Sequence, residues 1–208
     1  MDEEMKLEFR KQHIETYKKA VYENILNKND FLEECIEYIG YGSKDALSNL
    51  YEVCKNSIYS FSLSILKNKH DAEDVLQEVF IKIYENASTY QKNGKPMAWI
   101  LTITKNLSLM KLRKKKNHTD LDLFKDILPD NKKINDIETK LLLSAVFECI
   151  SDEERNILVL HAVSGFKHRE ISKILGLPLA TVLSKYSRSI KKIKNKMSEE
   201  RKHEKKRN

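Results

Sequence analysis

The sequence predicts an all-α protein with two small helical domains joined by a flexible linker. The chain has only five Gly and three Pro among 208 residues, which is few for a turn-rich β protein. Apolar residues recur at helical spacing on both sides of one polar segment. That segment, residues 114–136, is charged, contains a Pro and has few periodic apolar positions, as is typical of an exposed linker.

The elements follow in this order along the chain. Residues 1–40 look helical but contain no motif, and we expect a helical extension of unknown role. Residues 41–113 predict a helix bundle and residues 137–197 a second group of short helices, because apolar positions in both lie three to four apart. Residues 198–208 form a basic tail that we expect to fray.

Several classes of site are not expected. Cys35, Cys54 and Cys149 are odd in number and far apart, so neither a zinc site nor a disulfide framework is predicted, and no other metal or cofactor is. The N-terminus lacks the pattern of a secretion signal, and no window approaches about 18 apolar residues. We therefore expect a soluble, cytoplasmic protein with no membrane insertion.

Charge alternates in blocks along the chain, whose formal net charge is +7. Residues 91–118 contain eight Lys/Arg and no Asp/Glu, residues 119–166 contain five against ten, and residues 167–208 contain fourteen against four. Basic blocks of this kind are typical either of solvated surface or of surface that contacts phosphate, and composition leaves both open.

The segment HREISKILGLPLATVLSKYSRSIKKIK, residues 168–194, predicts two helices across a tight turn. Gly176 suits the left-handed end of the first helix, and Pro178 suits the first turn of the second. This is the pattern of a helix-turn-helix. Its second helix leaves four side chains opposite its apolar stripe, where they can contact bases and phosphates: Thr181, Ser184, Lys185 and Arg188. An ordinary helical hairpin with a polar outer face is the alternative.

A second basic helix is predicted to begin at Pro96, after the Asn93-Gly94 turn. Basic residues here are mixed with Tyr90 and Trp99, a composition that suits single-stranded nucleic acid, where bases stack on aromatic rings. The alternative is that Trp99 belongs to the core and the lysines are solvated.

The preceding helix, HDAEDVLQEVFIKIYENA, is acidic although the protein is basic. Asp71 is predicted to cap it, and Asp74 to interact with its positive N-terminal end. Acids and Gln77 also continue along one side, including Glu78, which capping does not require. A surface that would repel phosphate suggests a protein partner with basic residues.

Together these motifs resemble those of the extracytoplasmic-function (ECF) sigma factors, the small promoter-specificity subunits of bacterial RNA polymerase. The resemblance depends on the Asp-Ala-Glu-Asp helix, the Ala-Trp helix with its basic end, a variable linker and a C-terminal helix-turn-helix, over residues 41–113 and 137–196. It implies a non-enzymatic sigma factor that binds core polymerase and promoter DNA, with an anti-sigma factor as a further candidate partner.

The resemblance also implies roles for individual residues. Those expected to bind the clamp helices of the polymerase's largest subunit are Asp74, Gln77 and Glu78. Those expected at the minus-ten element are Lys95, Trp99, Lys105, Asn106 and Arg113. The helix from Pro178 to Arg188 resembles the reader of the minus-thirty-five element.

Two departures from the family pattern concern that reader. Leu183 stands where the family often has Lys, and Lys185 where it often has Arg, so a charge and a bidentate donor are lost. Affinity or sequence choice at the minus-thirty-five element is therefore expected to differ.

An enzyme and a conventional regulator are the two other classes of protein that these features could indicate. An enzyme is disfavoured because His161 and His168 have no paired nucleophile and no Gly-rich phosphate loop exists. A conventional regulator that binds duplex operator without polymerase would explain the helix-turn-helix. It gives no reason for the acidic helix followed by the Trp-containing basic one.

Overall fold

The structure, a computed structural model, describes residues 28–115 and 149–204, with side chains over 28–114 and 149–199. Both described ranges are helical and contain no strand, as the sequence predicts. The first range forms helices α1 (Lys28–Gly40), α2 (Lys44–Leu66), α3 (Lys69–Asn86) and α4 (Pro96–Lys115), with a 3-10 turn at Ala87–Thr89. The second forms α5 (Asp152–Ala162), α6 (His168–Leu175) and α7 (Leu179–Glu204).

Helix α1 packs in the same core as the three helices that follow it. Its apolar side chains are almost fully buried: Phe31, Leu32, Cys35, Ile36 and Ile39. Residues 28–40, which the sequence suggests as part of a separate extension, are therefore built into the first helical domain. The rest of that segment, residues 1–27, lies outside the described residues, as does most of the predicted linker.

The connection between α2 and α3 shows which residue caps the acidic helix. Lys67 ends α2 in the left-handed region, with φ of 56°. Asn68 follows as the N-cap of α3, its side-chain oxygen accepting a hydrogen bond from the Asp71 amide at 3.0 Å. The prediction that Asp71 caps this helix is wrong, because the helix already begins at Lys69 and a cap must precede the first turn.

The helix-turn-helix is formed by α6 and α7. Gly176 ends α6 with φ of 71°, as its position predicts. The Ser172 hydroxyl donates to the Leu177 carbonyl at 2.6 Å, which braces the turn. Helix α5 lies behind this pair and begins with a capping box, in which the side chains of Ser151 and Glu154 each accept from the other's backbone amide.

The two domains contact each other through α2 and α5. The Ser64 hydroxyl donates to Asn156 Oδ1 at 2.8 Å, and Lys67 Nζ lies 2.6 Å from Asp152 Oδ1. Asp152 also binds the guanidinium of Arg155, which is 2% exposed. Buried apolar residues of both domains belong to one cluster, so the contact is apolar as well as polar. We call this placement, with α2 packed against α5, the closed arrangement.

Candidate nucleic-acid interface

An open cleft of about 520 Å³ lies between the loop after α3 and the side of α4. Its volume is in the range of about 300–1,000 Å³ that is usual for ligand pockets. Two aromatic rings, Tyr90 and Trp99, form part of its wall, with centroids 4.8 Å apart at an angle of 49°. Asn93 and Asn106 add amide groups to the lining. Aromatic faces beside amides are the combination that recognises an unstacked base, by stacking and by hydrogen bonds to its edge.

The predicted minus-ten residues lie around this cleft but are not all in it. Trp99 and Asn106 line it, and exposed Arg113 lies a further seven residues along the same side of α4. Lys95 is exposed in the loop that leads into α4. Lys105 points elsewhere: its ammonium group donates to the Ile174 carbonyl at 2.7 Å, at the C-terminal end of α6, where carbonyl groups favour a cation.

Glu33 braces the loop that forms one side of the cleft, and sequence reasoning missed it. One carboxylate oxygen of Glu33 accepts from the Tyr90 hydroxyl at 3.1 Å, the Asn93 amide at 3.2 Å and the Gly94 amide at 2.7 Å. The carboxylate is buried. Burial, and then the bond to Glu33, raise the pKa of Tyr90, which keeps its hydroxyl a donor. No local signal marks Glu33, because its partners lie 57 to 61 residues away.

The exposed side of α3 contains all three residues predicted to bind polymerase. Asp74, Gln77 and Glu78 are exposed, and two exposed apolar side chains continue the same side: Ile81 at 57% and Tyr84 at 47%. We call these five residues the acidic face. Apolar side chains within a charged surface are typical of protein interfaces, where they become anchors.

Asp74 and Glu78 differ in their surroundings. Lys111 of α4 donates to Asp74 at 2.6 Å and lies 3.5 Å from Asp71. This hydrogen bond, and then the charge of Lys111, hold the pKa of the Asp74 carboxyl below its usual range. Asp74 is therefore ionised but already paired within the domain, so Glu78 is the better position at which to test docking.

Helix α7 turns one side inward and another to solvent. Val182 and Ser189 are fully buried, and Tyr186 packs against the core. Of the predicted minus-thirty-five residues, Ser184 and Arg188 are exposed and Thr181 is half-buried. Lys185 is also half-buried, and its ammonium lies 2.7 Å from Glu153 of α5. The exposed side near the start of α7 consists of small or apolar residues and one arginine: Ala180, Leu183, Ser184, Ser187 and Arg188.

A cluster of three rings joins the helices of the second domain. His161 and His168 stack with centroids 4.7 Å apart, and Tyr186 of α7 meets both rings edge-on. His161 Nδ1 also lies 2.8 Å from the Phe166 carbonyl. Burial, and then the neighbouring charge of His161, lower the pKa of His168. These histidines therefore hold α7 against α5 and α6.

Comparisons with known proteins match both domains. The chain matches the model of Sigma-70 region 2 over residues 50–118 and that of Sigma-70, region 4, over residues 140–193. It is 29% identical to the ECF RNA polymerase sigma factor SigW of Bacillus subtilis over 171 residues, covering 76% of this chain and 91% of SigW. The ECF sigma factor SigM of the same organism is 26% identical over 152 residues, covering 71% of this chain and 93% of SigM.

Solved structures show the same fold. A structure of CnrH in complex with the cytosolic domain of CnrY matches with a TM-score of 0.59 at 16% identity, over 80% of this chain and 96% of that one. The sigma factor RpoE of Bartonella quintana, in complex with the anti-sigma factor NepR, matches with a TM-score of 0.60 at 18% identity, over 71% and 94%.

The matches to a helical region 2 domain and a helix-turn-helix region 4 domain together define a promoter-recognition subunit of RNA polymerase. The chain belongs to the sigma-70 family and, within it, to the ECF sigma factors. It therefore associates with RNA polymerase and directs promoter recognition and transcription initiation. No helix in residues 28–115 or 149–204 is long and apolar enough to span a membrane.

Proposed function

We propose that this sigma factor binds its partners through three separate surfaces. The acidic face of α3 docks on the clamp helices of the largest polymerase subunit. The cleft beside α4 takes an unstacked base of the minus-ten element, and the exposed side of α7 reads the minus-thirty-five element. The observation on which this assignment mainly rests is the cleft itself, with Tyr90 and Trp99 in its wall and Asn106 in its lining.

The cleft favours a flipped base over an intact base pair. A base that leaves the helix loses stacking worth a few kcal/mol. Stacking on an aromatic ring returns about 1–3 kcal/mol per base, and the amides of Asn93 and Asn106 add hydrogen bonds to its edge. Because Glu33 already holds the loop in place, little further ordering is needed when the base enters.

The acidic face suits a basic protein surface and would repel the phosphates of DNA. Glu78 supplies charge at its centre, while Ile81 and Tyr84 supply apolar area that association would bury. Helices α3 and α4 are neighbours in one domain. When polymerase covers the acidic face, the cleft and Arg113 therefore remain accessible to DNA. Since bacterial polymerase acts in the cytoplasm, we place the protein there.

The closed arrangement must open for both elements to be read together. Elements at minus ten and minus thirty-five lie about 25 base pairs apart, or about 85 Å along straight B-DNA at 3.4 Å per step. A compact chain of 208 residues has a radius of gyration of only about 17 Å. Opening would also release Lys105 from the Ile174 carbonyl and free its ammonium for phosphate.

Run-off transcription with sigma-free core polymerase tests the docking assignment. Glu78→Arg should abolish core binding and transcripts, because it reverses a charge at the centre of the acidic face. Glu52→Arg is the matched control, since it makes the same change at an exposed position of α2 and should leave core binding and transcripts intact. Core binding by Glu78→Arg equal to wild type would contradict the docking role, and promoter binding without core would favour a conventional regulator.

Cross-linking tests the opening. Cysteines placed by Lys67→Cys and Asp152→Cys, in a Cys149→Ser background, would lie across the domain contact at positions that a reagent can reach. A short bismaleimide joining them should abolish transcription, while each single variant treated in the same way should remain active. Full activity of the cross-linked protein would show that the domains need not separate.

An anti-sigma factor is the further partner that we propose. The RpoE structure holds the anti-sigma factor NepR, and we extend that class of partner to this chain. Such a protein would act by keeping the acidic face from polymerase. Its expected signature is loss of run-off transcripts that excess core polymerase restores; inhibition unaffected by core concentration would argue for another mode of action.

A further inference from the structure

Leu183 is an apolar side chain exposed on the side of α7 that we assign to DNA. It is 47% exposed, and it is the fifth residue of a helix that begins at Leu179. Its exposed neighbours Ala180, Ser184 and Ser187 are small. Leu183 therefore stands out from the surface around it, in the N-terminal part of the helix, whose side chains contact base edges in helix-turn-helix proteins.

Packing within the domain does not account for Leu183. The inward side of α7 is filled by Val182 and Tyr186, and Leu183 is outside the packed apolar cluster that contains them. Among the described residues of the second domain, the other large apolar side chain with such exposure is Val163, just past the end of α5. Leu183 is thus an isolated apolar group on a surface that is otherwise small and polar.

The chemistry of an isobutyl group restricts what it can recognise in a major groove. It has no hydrogen-bond donor or acceptor, so it cannot hydrogen-bond to the edges of guanine, adenine or cytosine. The C5-methyl group of thymine is the apolar feature that a base pair presents there. The lysine nearest in sequence, Lys185, is held by Glu153 at 2.7 Å, which leaves Leu183, small side chains and Arg188 to meet the DNA.

We propose that Leu183 reads the methyl group of a thymine in the minus-thirty-five element. This rests on the proposed role of α7 and adds a base preference to it: a T·A pair opposite the first turns of the helix. Contact with one methyl group is worth about fourfold in affinity, by the usual value for burying one such group.

Replacing thymine by deoxyuridine, which lacks only the C5-methyl group, tests the contact. The affinity of holoenzyme would be measured for a cognate promoter in which the thymines of the minus-thirty-five element are replaced one at a time. Wild type should lose about fourfold at one position, and Leu183→Ala should bind both DNAs equally. Val163→Ala is the matched control, because it truncates an exposed apolar side chain of the same domain outside α7; it should keep the wild-type sensitivity.

The outcomes separate this contact from the role of α7 as a whole. If Arg188→Ala leaves binding of the unmodified promoter unchanged, the proposed role of α7 fails and the thymine contact fails with it. If Arg188→Ala weakens binding but no deoxyuridine has an effect, only the thymine contact is overturned. Equal sensitivity in wild type and Leu183→Ala would likewise assign the methyl contact to another residue.

Discussion

The two surfaces assigned to nucleic acid differ in shape. The cleft beside α4 is a concave site with aromatic rings in its wall, and a buried carboxylate from another helix braces its loop. The exposed side of α7 is the outer surface of one helix, with small side chains, one leucine and one arginine. The first suits a base that has left the duplex, and the second suits the edges of bases that remain paired.

The cations on and near these surfaces differ in what they bind. Lys105, Lys111 and Lys185 all bind groups of the protein itself, at 2.6 to 2.7 Å. Arg188 is exposed instead, and its Nε donates to the Ser184 carbonyl within its own helix. A basic composition therefore overstates the charge that these surfaces offer to DNA in the closed arrangement.

Removing the brace of the cleft should have the largest effect. Glu33→Ala leaves the Tyr90 hydroxyl and two backbone amides without their acceptor, which we expect to cost about 1–3 kcal/mol of unfolding free energy. Run-off transcription should fall at least as much, because the loop loses its position. Denaturant unfolding and run-off assays measure the two effects.

Glu37→Ala is the matched control for this change. Glu37 lies on the same helix and binds Lys92 at 2.6 Å, but in an exposed pair, so the expected cost is about 0–1 kcal/mol. Equal stabilities of the two variants would mean that the Glu33 bonds do not order the loop.

Asn106→Ala should weaken DNA binding at the cleft and leave binding at α7 unchanged. Loss of an amide that hydrogen-bonds a base edge is worth about 1–3 kcal/mol, which is roughly 5- to 150-fold in affinity for a melted minus-ten strand. Holoenzyme binding to a fork template with an unpaired minus-ten strand measures it, with Thr102→Ala, an exposed position on the same helix, as the control. An equal loss of affinity for fully duplex DNA would contradict the proposal that the cleft binds an unpaired base.

Arg188 and Lys185 of α7 should contribute differently to the salt dependence of DNA binding, because they have different partners. Arg188→Ala should lower the slope of log affinity against log salt by about one, as expected for one phosphate contact. Lys185→Ala should lower it less, because Glu153 already neutralises that ammonium group. Glu153→Gln should release Lys185 and raise the slope; the opposite ranking of Lys185 and Arg188 would show that the Glu153 pair opens on DNA.

The sequence predicted features whose interacting residues lie close together along the chain. Helical periodicity, the turn at Gly176 and the acidic side of α3 are all local patterns, and the structure confirms the all-helical fold and the helix-turn-helix. The capping prediction at Asp71 was local too, but it was wrong, because Lys67 ends α2 early enough for Asn68 to cap the next helix.

The contacts that organise the site could not be predicted in this way. Glu33 and Gly94 are 61 residues apart, and Lys105 and Ile174 are 69 apart. One glutamate among ten acidic residues in positions 1–40 carries no local sign that it will be buried against a loop. The partners of Lys105 and Lys111 depend likewise on helix packing, which periodicity does not specify.

The smallest expected effect concerns the rings that hold α7 in place. Folding lowers the pKa of His168 below its ordinary value of about 6.5, through burial and then the charge of His161. As pH falls below about 6.5, the unfolded chain therefore takes up a proton that the folded domain resists, and stability decreases. Among the residues that the structure describes, the buried Nε2 atom of His168 has no hydrogen-bond partner, so no hydrogen bond at this atom stabilises the charged form.

Thermal unfolding at pH 7.5 and 5.5 measures this dependence. His168→Gln should flatten it, whereas His70→Gln, which changes a highly exposed histidine on α3, should leave it as in wild type. The ring of His168 is only partly buried, so the shift in midpoint should be modest. Because Tyr186 contacts both histidines, the same protonation should weaken duplex binding through α7 and spare binding of the melted strand in the cleft. Parallel losses on both surfaces would show instead that the pH effect acts on the contact between the domains.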